Sequence, residues 1–128
     1  MSGKSIDELA QHQLDVMEVV WELGEATVHQ VRDRINEKKD LAYTTILSVM
    51  QKLEQEGWLE HRAERRTYIY TPTVSREQAG TRSVRRLIDQ VFAGRPQLMF
   101  QHLIDDGKMS EDELSELRKL INRHKRGE

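Results

Sequence analysis

Cysteine is missing from this 128-residue chain. That alone removes disulfides, thiolate metal sites and thiol chemistry, and it suits a reducing compartment. Aromatic residues are scarce, at 5%, and hydrophobic residues make up 37% of the chain. This supplies a modest core, not a large one. No apolar run approaches the ~20 residues of a membrane span. The opening Met1–Asp7 is polar and lacks the apolar stretch of a secretion signal. The expectation is a cytoplasmic protein without a membrane partner. The seven glycines are scattered, so no glycine-rich loop cradles a phosphate. No nucleophile with its base and no paired-carboxylate site can be picked out, so the chain does not read as an enzyme and no cofactor is expected. His102, Asp105 and Asp106 have the i, i+3, i+4 spacing of a metal site, but such neighbours arise by chance on solvated helices. No metal is expected.

Bulk positive charge is lacking as well. The net charge is −2. Residues 1–74 hold 9 Lys/Arg against 13 Asp/Glu, which is −4, and residues 75–128 hold 11 against 9, which is +2. A nucleic-acid role for the first half must therefore rest on local charge.

What is present is concentrated in Leu41–Pro72. Ile46, Val49, Met50 and Leu53 follow i, i+3, i+4, i+7, one apolar helical face. Thr44, Thr45, Ser48, Gln51, Lys52 and Gln55 fall opposite, a face of hydroxyls and amides with one cation. The spacing predicts a helix over 42–56, stopped by Gly57. Trp58–His61 and Thr67–Thr71 alternate as half-buried strands around a charged turn, Ala63–Arg66. Tyr68 and Tyr70 share one face of the second strand and Ile69 takes the other, and Pro72 closes it. A polar-faced helix followed by a hairpin carrying Arg62, Arg65 and Arg66 is a winged helix-turn-helix pattern. The helix would enter a major groove and the hairpin, residues 58–71, would brace phosphates. Thr44, Thr45 and Ser48 suit base edges or phosphates, and the threonine methyls or Leu47 suit thymine methyls. Ala42, Tyr43, Thr44 and Gln51 complete the expected contact surface, with Lys52, Arg62, Arg65 and Arg66 as phosphate neutralisers. The plainer alternative is a solvated helix face and a charged turn offset by Glu60 and Glu64. Trp21 and Trp58 sit among apolar periodic neighbours and are expected in the core.

Around this stretch, Ser5 or Asp7 would cap a first helix running to Leu23, with Gly24 ending it. Thr27 and Gln30 form a capping box for a second helix. The expected core is Leu14, Met17, Val20, Trp21, Val28, Val31, Ile35, Ile46, Val49, Met50, Leu53, Leu59 and Ile69. Further on, Ser75/Gln78 and Ser110/Glu113 are two more capping boxes, and Pro96 suits the first turn of a helix to Asp105. Three helices in the last 54 residues are marginal as a separate core. Their apolar residues, Leu87, Ile88, Val91, Leu98, Leu103, Ile104, Leu114, Leu117, Leu120 and Ile121, read as a surface for an identical chain. The architecture expected is mainly α with a small β-hairpin: an N-terminal winged helix-turn-helix, residues 1–74, and a C-terminal helical dimerisation domain, residues 75–128.

Several segments together resemble the penicillinase-repressor family of the BlaI/MecI type. They are Gln13–Met17 leading to Val20–Gly24, Ala26–Val28, Ala42–Ile46, Leu53–Gly57, Arg66 four residues before Tyr70, and Ser110–Leu114 with Glu116–Arg118. The resemblance spans nearly the whole chain. It implies a bacterial dimeric repressor held together by its C-terminal helices and bound to a palindromic operator in double-stranded DNA. The β-lactam-responsive members are inactivated by cutting an Asn-Phe bond. His102-Leu103 stands at the matching position here, so that route of induction does not carry over. The copper-responsive relatives use Cys-x-Cys motifs, which this chain lacks. The inducing signal or protease, the operator and the regulated genes are therefore open. Two other readings compete: a winged helix used as a protein-interaction module without a DNA target, favoured by the acidic first half, and a small-molecule-sensing winged-helix regulator.

Overall fold

The computed structural model describes residues 3–127; Met1, Ser2 and Glu128, the outermost residues of the two expected domains, lie outside the described residues, as does the Met1–Ser2 part of the polar opening. A 3-10 turn, Ile6–Glu8, precedes α1 (Gln11–Leu23), α2 (Val28–Ile35), α3 (Tyr43–Gln55), β1 (Leu59–Glu64), β2 (Thr67–Pro72), α4 (Arg76–Val91), α5 (Pro96–Asp105) and α6 (Glu111–Lys125). Six helices and one antiparallel hairpin make the expected mainly-α architecture. The chain divides into two compact units, with the boundary inside α4 between Val84 and Arg85.

In the first unit, α1, α2 and α3 enclose a core with the hairpin packed against α3. The buried residues are those that helical periodicity demands: Val16, Met17 and Val20 from α1, Val28, Val31 and Ile35 from α2, and Ile46, Met50 and Leu53 from α3. Trp58 and Leu59 enter from the start of the hairpin, and Val74 and Ala79 close the core from the chain that follows it. The Trp21 indole lies half-buried, edge-on to Trp58, and donates to the Val74 carbonyl at 2.9 Å. Both tryptophans thus belong to the packing, with the one N–H satisfied.

Local chemistry sets most helix starts. Thr27 accepts from the Gln30 amide while Gln30 Oε1 accepts from Thr27 N–H, and Ser75/Gln78 and Ser110/Glu113 repeat this reciprocal arrangement. At α1 the expectation fails. The helix starts at Gln11, not after Ser5 or Asp7. Ser5 is fully buried, its hydroxyl donates to the Asp7 carboxylate, and its carbonyl closes the 3-10 turn. Ala10 is the cap, its N–H satisfied by the Gln13 side chain at 3.0 Å.

The hairpin corrects the sequence reading in two ways. Both strands run longer than expected: Glu64 pairs with Thr67, which shrinks the turn to Arg65-Arg66, and Pro72 is itself paired, with Leu59. Tyr70, not Ile69, supplies the buried side chain of β2, at 1% exposure. The reason is a third backbone segment: Ala26 exchanges both amide bonds with Tyr70, at 2.8 and 3.0 Å, which pins the Tyr70 face inward. Leu14, Trp21, Val49 and Ile69 are only partly buried.

The second unit comprises the end of α4, α5 and α6. Ile88 is its deeply buried side chain, at 4% exposure. Leu98 and Leu117 are half-buried, and Leu87, Val91, Leu103, Ile104, Leu114, Leu120 and Ile121 are exposed in the single chain.

Replacing Tyr70 by Ala is expected to cost about 3–5 kcal/mol in urea denaturation. Ile69→Ala should cost under about 2 kcal/mol. A larger loss for Ile69→Ala would mean that the inward face of β2 has been misassigned.

Candidate nucleic-acid interface

Helix α3 presents one face to solvent. Thr44, Thr45, Ser48, Gln51 and Lys52 are all exposed, while Ile46, Met50 and Leu53 on the other side are buried. Ala42 is the exposed N-cap residue, and Tyr43 and Leu47 are half-buried at the margin. No acidic residue lies in the first turn of α3; the first acid along it is Glu54, near its C-terminal end. The helix therefore offers hydroxyls, an amide and an ammonium, with nothing on that face to repel an anion.

The three arginines of the hairpin do different things. Arg62 is held: its guanidinium donates to both Glu25 oxygens at 3.0 and 3.2 Å and to Glu64 at 3.2 Å. The Arg62 guanidinium keeps the Glu25 carboxyl below its ordinary pKa, and Glu25 raises that of Arg62 in return. Arg62 thus braces the hairpin to the chain ahead of α2. Arg65 and Arg66 form the turn, are exposed, and make no ion pair among the described residues. Arg65 adopts φ +59°, a left-handed conformation that disfavours any side chain with a Cβ.

A second brace ties the hairpin to α3. His61 Nδ1 lies 2.7 and 2.8 Å from the two Glu54 oxygens, and its ring stacks on Tyr68 at 4.3 Å. His61, Tyr68 and Tyr70 share one face of the hairpin, as cross-strand register requires. Tyr70 is the buried member, and burial pushes its phenol above the ordinary pKa, so it stays neutral near pH 7. Tyr68, two residues nearer the turn, has passed the edge of the core and is half exposed.

Between α3, the start of α2 and β2 lies an open groove of about 360 Å³. Tyr43, Leu47 and Gln51 form one wall, Arg66, Thr67, Tyr68 and Tyr70 the other, and Thr27, Val28 and His29 its end. The His29 and Tyr43 rings meet at 4.6 Å. Of the groove's residues, Tyr43, Leu47, Gln51 and Arg66 are expected from the sequence, and Thr27, His29, Thr67 and Tyr68 are not. Helical period marks the exposed face of α3; it says nothing of which hairpin residues stand across from it. The usable signal was Tyr68, set two residues from Tyr70 on the same strand face. His102, raised above with Asp105 and Asp106, instead sets its ring against Phe92 at 5.4 Å in the second unit.

Relatives are informative at this point. A family profile described as "Penicillinase repressor" matches residues 9–123. The penicillinase repressor of Bacillus licheniformis is 22% identical over 122 residues, covering 95% of each chain. A solution structure of the Bacillus licheniformis BlaI monomeric form in complex with the blaP half-operator is 25% identical, has a TM-score of 0.50, and covers 59% of this chain and 92% of that one. The YusO protein of Bacillus subtilis, at 16% identity and a TM-score of 0.53, covers 94% of this chain and 77% of its own, and shares the fold. Among the described residues, no helix is long and apolar enough to cross a membrane.

Arg65→Gly removes the left-handed penalty of ~1–2 kcal/mol and adds ~0.5–1 kcal/mol of unfolded-chain entropy. The variant should match or exceed the wild-type urea midpoint. A clear drop would show that the Arg65 side chain makes stabilising contacts of its own.

Proposed function

This chain belongs to the penicillinase repressor family, and on that premise we propose that it represses transcription as a homodimer bound to a palindromic DNA operator. The observation that carries the reading is the acid-free, solvent-open face of α3 beside two arginines that no carboxylate of the described residues neutralises. That pairing of groups suits a duplex: α3 in the major groove with Thr45 and Ser48 toward base edges, Arg65 and Arg66 on the flanking backbone. The half-operator complex of the related BlaI structure supports the DNA target.

The dimer rests on a different argument. Val91, Leu120 and Ile121 are at least half exposed in the single chain, at 62%, 54% and 50%. With Leu103 and Ile104 of α5 also exposed, aliphatic side chains in that number along α4, α5 and α6 call for an apolar cover, and an identical chain supplies one with two-fold symmetry. Two reading heads then multiply a modest affinity per subunit. Repression would follow from obstruction of the polymerase, in the cytoplasm. The inducing signal is a separate matter.

Selecting bound fragments from the source genome should return a two-fold symmetric element. On that element Arg66→Ala should weaken specific and random DNA about equally and lower the salt slope by about one unit, whereas Ser48→Ala should change sequence preference. Identical losses on both kinds of DNA for both variants would overturn the division of roles. Sedimentation at micromolar concentration should give a dimer, and the double variant Val91→Glu, Leu120→Glu should be monomeric with an unchanged melting point for the first unit. A monomeric wild-type chain would end the dimer reading.

A further inference from the structure

The groove between α3 and the hairpin holds more than the recognition surface requires. In a chain of net charge −2, no carboxylate lines it among the described residues. Its walls carry His29, Tyr43, Gln51, Arg66, Thr67 and Tyr68, every one able to donate a hydrogen bond. If α3 lies in a major groove with the hairpin alongside, the strand at the groove's edge runs between them. That path follows this channel.

We propose that the groove seats one backbone phosphate and that protonated His29 is a contact to it. The proposal rests on the DNA-binding reading above and adds to it a titratable member that the recognition helix does not contain. His29 is exposed at the start of α2, with its ring against Tyr43. Tyr43 from α3 meets its ring, and Arg66, Tyr68 and Tyr70 from the hairpin line the same groove. On its own helix Arg32 and Asp33 stand at i+3 and i+4 and offset each other in charge. An anion seated in the groove favours the cationic form of an imidazole that touches it. Binding therefore takes up a proton. The sign follows from linkage: the complex raises the imidazole's proton affinity, so DNA binding is tightest in mild acid and weakens as pH rises through the imidazole range.

The test uses the full chain and a random-sequence duplex of about 30 base pairs at about 50 mM salt, so no operator is needed. Binding is measured at about pH 5.5 and about pH 8 for wild type, His29→Gln and His29→Lys. Wild type should tighten about three- to fivefold more than His29→Gln on acidification. Because His61 and the other histidines remain in both proteins, the difference isolates His29. His29→Lys should bind tightly at both pH values with a salt slope like that of acidic wild type, which a purely structural role for His29 would not produce. Equal pH responses of wild type and His29→Gln, or weak binding by His29→Lys at both pH values, overturn the proposal and leave the DNA reading standing. Failure of wild type to bind the duplex at either pH overturns both. Melting curves of the three proteins, expected to coincide because the site is exposed, exclude unfolding as the cause of any loss.

Discussion

The reversal of the chain at Gly57 sets the geometry on which everything else depends. Gly57 leaves α3 with φ +86°, and its N–H donates to Glu54 while that of Trp58 donates back to Leu53 at 2.8 Å. This satisfies the last carbonyls of the helix and turns the chain by a fixed angle. Trp58 and Leu59 are driven into the core at once, so β1 has no freedom to start elsewhere. Thr73 then closes the far end, its hydroxyl donating to the Gly57 carbonyl at 2.6 Å and its N–H to Trp58. The hairpin therefore stands at a set distance from α3, and the groove between them is a consequence. A Cβ at Gly57 would meet only the flexible end of Lys4, so a substitution there fails through backbone conformation and not through crowding.

The hairpin has a braced half and an open half. At its base the Ala26–Tyr70 bridge and the Arg62–Glu25 pair fasten it to the segment ahead of α2, and the His61–Glu54 contact fastens it to the end of α3. These ion pairs are exposed, so each contributes little to stability by itself; their value is positional. Beyond them, Arg65 and Arg66 make no ion pair among the described residues, and Arg65 adopts a conformation that glycine or asparagine would adopt with less strain. Within one hairpin, then, Arg62 is held by two acids while Arg65 and Arg66 meet none among the described residues.

Much of this could be read from the residues, where the governing interactions are local. Reciprocal capping pairs at Thr27, Ser75 and Ser110 act across three residues and declare themselves by spacing. The buried stripe of α3 and its glycine stop are equally local. The misses share a different character. Tyr70 displaces Ile69 from the core because Ala26, 44 residues away in sequence, pairs with its backbone, and alternation alone leaves either face eligible. The α1 cap is an alanine whose orphan N–H is met by a glutamine one turn later, a solution with no recognisable cap residue. Ser5, which looks like a cap, is buried instead. The groove could not be foreseen because it exists only once hairpin register and helix angle are both fixed.

The acidic balance of the first half counts against binding a polyanion, and several of its acids are held by cations. Glu18 lies on Arg76, Glu22 on Arg34, Asp15 on Lys39, Glu25 on Arg62 and Glu54 on His61. These carboxylates come from α1, the loop before α2 and the far end of α3, none from the α3 face spanning Thr44–Lys52. With a Debye length of ~8–10 Å at ordinary ionic strength, exposed charges further off than that are largely screened. Lys52, Arg65 and Arg66 are the cations nearest in sequence and position to that face and the groove. Net charge still governs the approach from a distance, and here it gives no attraction. An association that is not steered from afar depends on what happens at contact. That places a heavier requirement on having two contact surfaces act together than a strongly basic domain would face.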